Sequence, residues 1–202
     1  MTDVIFGSGT IILWFLLAVF FLVPRVRSHV KKLFISNKIL ASRLVLILAL
    51  IAMLGSLWYS DVVGFEPCRL CWYQRIFMYP IVLISFIGLV YDDLRSLIYV
   101  RVLAIVGLVI SLFHIIEQRV PQAGLSCGSV GQAARCDSLW VNAFNIVTIP
   151  TMAFTIFLAI IIITLIQGWS AKDSIKYVAI INYVKTKKNH SVWTQDPATK
   201  LG

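Results

Sequence analysis

Five apolar stretches set the terms for any fold of this chain: Val4–Val23, Leu44–Tyr59, Ile76–Val90, Tyr99–Ile116 and Ile146–Ile166. A helix of roughly 20 apolar residues crosses a bilayer core about 30 Å thick. The composition supports membrane spans rather than buried soluble helices. It is 59% hydrophobic and 13% charged, where soluble domains run at about 45–50% and about 25%. The expected class is an all-α polytopic membrane protein: a four-helix bundle with an additional N-terminal transmembrane segment. Val4–Val23 reads as a retained span and not as a cleaved signal peptide. Asp3 precedes it and Pro24-Arg25-Val26-Arg27 follows it, the reverse of the charge order of a leader. No internal repeat or soluble domain is seen.

The net charge of +9 would suit a nucleic-acid binder, but its distribution argues otherwise. Arg25, Arg27, Lys31, Lys32, Lys38 and Arg43 share one connector, and Lys172, Lys176, Lys185, Lys187, Lys188 and Lys200 share the tail. Basic residues gathered beside apolar spans mark cytoplasmic loops and face anionic lipid. Three units follow: residues 1–43, the apolar segment and basic connector; 44–169, the four-span unit; and 170–202, a basic cytoplasmic tail. Ile175, Val178, Ile181 and Val184 in that tail recur at helical spacing, consistent with a short helix on the inner leaflet or a solvated tail. Asp92, Asp93 and Arg95 form an inner hairpin turn, and Arg101 is placed to snorkel at the inner end of its span. With the connector and tail inside, alternation of the spans puts both cysteine pairs on the outer face.

Those pairs are Cys68–Cys71, in Pro67-Cys68-Arg69-Leu70-Cys71-Trp72-Tyr73-Gln74-Arg75, and Cys127 with Cys136. On an oxidising face a Cys-x-x-Cys reads as a redox pair. Cys71 is expected where the third span begins, so the helix N-terminus and Arg75, one turn on, would favour its thiolate. Alternatives remain open on the residues alone. The four cysteines could form a zinc site, although eight residues between Cys127 and Cys136 is a wide spacing and zinc requires thiolates; two structural disulfides are a further reading. Arg75 could anchor to lipid phosphate. His114, at the same depth as Cys71 and Arg75, could be an interfacial hydrogen-bonding residue or a pocket residue.

Residues 44 to about 165 resemble the disulfide bond formation proteins DsbB and BdbC, most closely the BdbC branch. The resemblance rests on Ile51-Ala52-Met53-Leu54-Gly55-Ser56-Leu57, on Glu66-Pro67-Cys68 through Met78-Tyr79-Pro80, on His114 to Gln118 before Pro121, and on Thr148-Ile149-Pro150. It implies a four-helix bundle in the plasma membrane that reoxidises an extracytoplasmic thioredoxin-like thiol oxidase (DsbA/BdbD-like). The electrons would pass to a membrane quinone, menaquinone or ubiquinone. By position, Cys127 would form the mixed disulfide with the partner, Cys136 would exchange with Cys68, Cys71 would face the quinone, and Arg75 and His114 would lie against it. Two features depart from the pattern: Val4–Val23 is extra to the family's usual four spans, and the Cys127–Cys136 loop is shorter than in DsbB and somewhat longer than in BdbC.

Competing classes are a vitamin K epoxide reductase relative, in which the Cys-x-x-Cys would lie in the last span, a zinc-binding scaffold, and a small transporter. The few charged groups within the spans disfavour the transporter.

Overall fold

The computed structural model describes residues 2–37, 39–120, 141 and 146–168. Cys127, Cys136 and the basic tail, with its expected inner-leaflet helix, lie outside the described residues. Six helices are described: α1 (Thr2–Leu22), α2 (Pro24–Ser36), α3 (Leu40–Leu57), α4 (Arg69–Val90), α5 (Ser96–Arg119) and α6 (Ile149–Gly168). All but α2 are long and apolar enough to cross a membrane. The protein is therefore an all-α, multi-pass membrane protein, as expected.

The bundle packs through stripes of small and apolar residues. On α3, Ala41, Val45 and Ala49 recur every four residues and are fully buried, which puts them on one helical face. On α5 the buried stripe runs Val100, Ala104, Gly107, Ser111, His114. On α4 it runs Leu70, Gln74, Met78, Ile81, Ser85, Gly88. Small residues let helices approach closely where lipid provides no hydrophobic drive for association. A Cβ added at Gly107 would lie 2.3 Å from Cζ of Phe157, a ring with no exposure at all, so α5 meets α6 ring against backbone. Gly107→Ala is accordingly expected to cost about 1–3 kcal/mol through overpacking. Thermal unfolding in detergent would register it, and an unchanged midpoint would mean that Phe157 can swing away.

The ends of the helices follow local chemistry. Asp92 takes a positive φ of 52° in the α4–α5 turn, a conformation that Asp tolerates better than most residues. Asp93 Oδ1 then accepts from the Arg95 N–H at 2.9 Å. Pro150 lies in the first turn of α6, where its missing N–H leaves no helical bond unmade. α3 continues as a π-helical stretch over Trp58–Val62, and Tyr59 stacks on Phe65 at 5.9 Å.

Three details differ from the sequence reading. The basic connector is helical: Val26, Val30 and Phe34 recur every four residues, with Phe34 buried and Val26 and Val30 half-buried, while Arg25, Arg27 and Lys32 stay exposed. The charges drew attention to a loop and hid this apolar stripe. The helix of the third span begins at Arg69, two residues ahead of Cys71, where it was expected, and seven ahead of the apolar run at Ile76, because Cys68 caps it. Arg101 does not snorkel: it donates to the Thr164 hydroxyl at 3.2 Å and to the Thr164 carbonyl, tying α5 to α6.

Candidate functional site

Cys68 is the N-cap of α4. Its backbone is extended and its sulfur accepts from the Cys71 N–H at 3.4 Å. This is the role a Ser or Asp oxygen takes at other helix starts, and it fixes the geometry of the Cys-x-x-Cys. The two sulfurs lie 3.2 Å apart. The Nε2 of His114, on α5, is 3.6 Å from the Cys68 sulfur. His114 Nδ1 is 3.1 Å from the amide nitrogen of Gln74. An amide N–H donated to Nδ1 leaves the proton on Nε2, directed at Cys68. Both His114 and Gln74 are buried, and Cys71 of α4 with Ile110 and Phe113 of α5 packs against the buried pair Cys68 and Leu70.

The donors converge on Cys68, not on Cys71 as the spacing to Arg75 had implied. The Cys68 thiol is lowered to about 4. The Cys71 S–H bond is the largest cause, burial opposes it, and His114 adds a hydrogen bond. The thiolate of Cys68 is therefore present above about pH 4, whereas an unfolded cysteine ionises near 8.5. The reduced protein gains stability from this group as pH rises from about 4 to about 8.5 and loses it as pH falls through about 4. Thiolate absorbance of the reduced protein should titrate near pH 4, and His114→Ala should raise the midpoint. A midpoint near 8 in the wild-type protein would contradict this geometry.

The two sulfurs differ in what they face. Cys71 opens onto a cavity of about 510 Å³, whereas Cys68 does not line it. Arg75 lines the cavity beside Cys71. Its guanidinium donates to the Ser56 carbonyl at 2.9 Å and lies 5.4 Å from the Trp72 ring centroid. That carbonyl is at the end of α3, next to the π-helical stretch, a distortion often found beside functional sites. Apolar side chains dominate the rest of the wall, among them Ile51 and Met78.

Of the residues singled out from the sequence, Cys68, Cys71, Arg75 and His114 come together at one end of the bundle, and Cys127 and Cys136 lie outside the described residues. Sequence reasoning missed one member of the cluster and one buried acid on the helix of His114. Gln74 stands inside the quoted motif without a role. Glu117, three positions past His114 on α5, is buried and its Oε2 has no hydrogen-bond partner among the described residues. A polar residue on the buried stripe of an apolar helix is the available signal, seen in Gln74 on α4 and in Glu117, three positions past His114, on α5.

The ligand atoms of Cys68, Cys71 and His114 all fall within 4.8 Å of one another. Two thiolates and an imidazole could hold a soft metal ion such as zinc. The same group can instead perform thiol–disulfide exchange, which needs a thiolate and a good leaving group. Comparison with known proteins decides between these classes. The family model for disulfide bond formation protein DsbB matches residues 38–167. The chain is 47% identical over 118 residues to disulfide bond formation protein C of Bacillus subtilis, covering 57% of this chain and 83% of the relative. It is 45% identical over 121 residues to a probable disulfide formation protein C of Halalkalibacterium halodurans, covering 58% and 85%. A third relative, the SPbeta prophage-derived disulfide bond formation protein B of Bacillus subtilis, is 38% identical over 150 residues, covering 74% and 92%. No solved structure matches the chain. A capped, hydrogen-bonded dithiol at one end of a membrane bundle, within a sequence that matches over most of that bundle, makes this chain a member of the DsbB family of disulfide bond formation proteins.

Proposed function

We propose that the protein is a quinone-linked thiol oxidase. It would reoxidise an extracytoplasmic thioredoxin-like thiol oxidase and so support disulfide formation in exported proteins. The observation that carries this reading is the asymmetry of the pair: Cys71 lines an apolar cavity with Arg75, while Cys68 is held against His114. The cavity fits a quinone. Its walls suit a hydrophobic ring and tail, and the Arg75 N–H groups suit a carbonyl oxygen. When bound, a quinone supplies the two-electron, two-proton acceptor for the dithiol, so that Cys68 and Cys71 become a disulfide and the quinone leaves as quinol.

The chain's own groups would divide that work. Arg75 would orient a carbonyl, its guanidinium steadied by Ser56 and Trp72. His114, oriented by Gln74, would stabilise the Cys68 thiolate. A stabilised thiolate favours the reduced form and makes the disulfide a stronger oxidant, which suits a pair that must draw electrons from a partner. Cys127 would form the mixed disulfide with that partner, and Cys136 would exchange with Cys68. The cysteine end would be extracytoplasmic. The opposite end, carrying the basic α2 and the tail from residue 170 onward, would be cytoplasmic, with the redox unit over residues 44–169.

The test is quinone reduction by the purified protein, followed by absorbance, with a reduced thioredoxin-like dithiol as donor. Catalytic quinone loss that needs all four cysteines is expected. Stoichiometric zinc on reduced thiols, with no quinone turnover, would overturn the reading in favour of a metal scaffold.

A further inference from the structure

The cavity beside Cys71 has walls from α3, α4 and α6, and one more from a helix that the family match does not include. The matched residues are 38–167, so α1 and α2 lie outside them. Yet Ile5, Phe6, Gly9, Ile12, Leu13 and Leu16 of α1 all line the cavity. Their spacing of three and four puts them on one helical face. Ile5, Ile12 and Leu16 of this face are exposed, as are Ile11 and Phe15 on the opposite one, and α1 is the least buried of the five spans.

Two side-chain contacts hold α1 over the opening. Trp14 donates its indole N–H to the Thr155 hydroxyl of α6 at 2.6 Å. Phe6 lies against Gly55, where an added Cβ would be 3.1 Å from the ring, and its ring centroid is 5.4 Å from that of Tyr59. Between these contacts sits Gly9. A Cβ built there meets no atom within 4 Å, so the missing side chain leaves space in the middle of the lining stripe.

We propose that α1 is the lipid-side wall of the quinone cavity, and that Gly9 is the position that keeps room in it for the ligand. This rests on the quinone reading given above and adds a specificity-determining element to it. The occupant is an isoprenoid quinone, for the reasons of shape and chemistry already stated: a largely apolar wall, with Arg75 and the Cys71 sulfur on it and Glu66 as its one carboxylate. A wall pinned by two side-chain contacts encloses the ring without joining the core of the bundle, so its residues set which ring and tail fit.

The experiment measures binding of a decyl-tailed benzoquinone to the full-length protein with Cys68–Cys71 oxidised. The readouts are quenching of tryptophan fluorescence and, independently, the quinone that co-purifies from membranes. Gly9→Leu and Gly9→Phe are expected to weaken binding progressively, by at least about tenfold for phenylalanine as its ring fills the cavity. Ile11→Phe, which adds the same ring on the face of α1 away from the cavity, should bind as the wild type does. Thermal unfolding without quinone should be unchanged in Gly9→Leu. Wild-type affinity in both Gly9→Leu and Gly9→Phe would overturn the wall while leaving the quinone reading intact. A loss in Ile11→Phe as large as in Gly9→Phe would trace the effect to helix packing and would also overturn it. Failure of the wild-type protein to bind any quinone would remove the wall and the reading beneath it together.

Discussion

Serine in place of Cys71 is expected to abolish quinone reduction, by at least about 1,000-fold, equivalent to a barrier increase of about 4 kcal/mol. The size of the effect follows from chemistry. A hydroxyl cannot complete the disulfide that releases the two electrons, and Cys71 is the sulfur of the pair that lines the cavity. The fold should survive, because the Cys68 cap uses the Cys71 backbone N–H and not its side chain. A serine O–H can also replace the S–H as a donor to Cys68, so the thiolate titration should stay low in the variant. Single-turnover quinone absorbance with Cys68 reduced is the measurement. Residual reduction near the wild-type rate would mean that electrons leave from Cys68, on the His114 side.

Cys127→Ser should separate the two halves of the reaction. Turnover with the thioredoxin-like partner is expected to fall to background, again by at least about 1,000-fold, because the mixed disulfide would have no sulfur to form on. A small dithiol that reaches Cys68–Cys71 directly should still drive quinone reduction at close to the wild-type rate. Comparing the two donors in one assay distinguishes a lost relay from a lost site. Full partner turnover in this variant would overturn the relay order drawn from the resemblance.

The spans were legible because apolar length is a coarse signal: each of the five is recovered, displaced at its ends by a few residues. Those displacements have local causes. Cys68 starts α4 seven residues before the apolar run, because capping chemistry and not hydrophobicity sets a helix N-terminus. α2 was obscured by its own charges, since three apolar residues at a spacing of four carry little weight among Arg25, Arg27, Lys31 and Lys32.

The site was legible only as far as its motif. Nothing local joins Gln74 to His114, 40 positions apart, and the His114 contact that adds to the Cys71 hydrogen bond in favouring the Cys68 thiolate comes from the packing of α4 on α5. The cavity was the least legible feature of all. It is walled in part by α1, which Trp14 ties to Thr155, 141 positions away. That pairing has no signature in a single chain.

The cap on α4 has a further consequence. The sulfur that closes the first turn of this helix is also the one that would be passed between partners, so the helix end is wired to the electron count. While Cys68 is an ionised thiolate, it both accepts from the Cys71 amide and sits at the positive pole of the helix. Once that sulfur is shared in a disulfide, the charge is gone and the amide loses much of its acceptor. The first turn of α4 is thus expected to hold more tightly in the reduced protein than in the oxidised one. Exchange of the Cys71 amide hydrogen with solvent would read this directly, slow in the reduced protein and faster in the oxidised one.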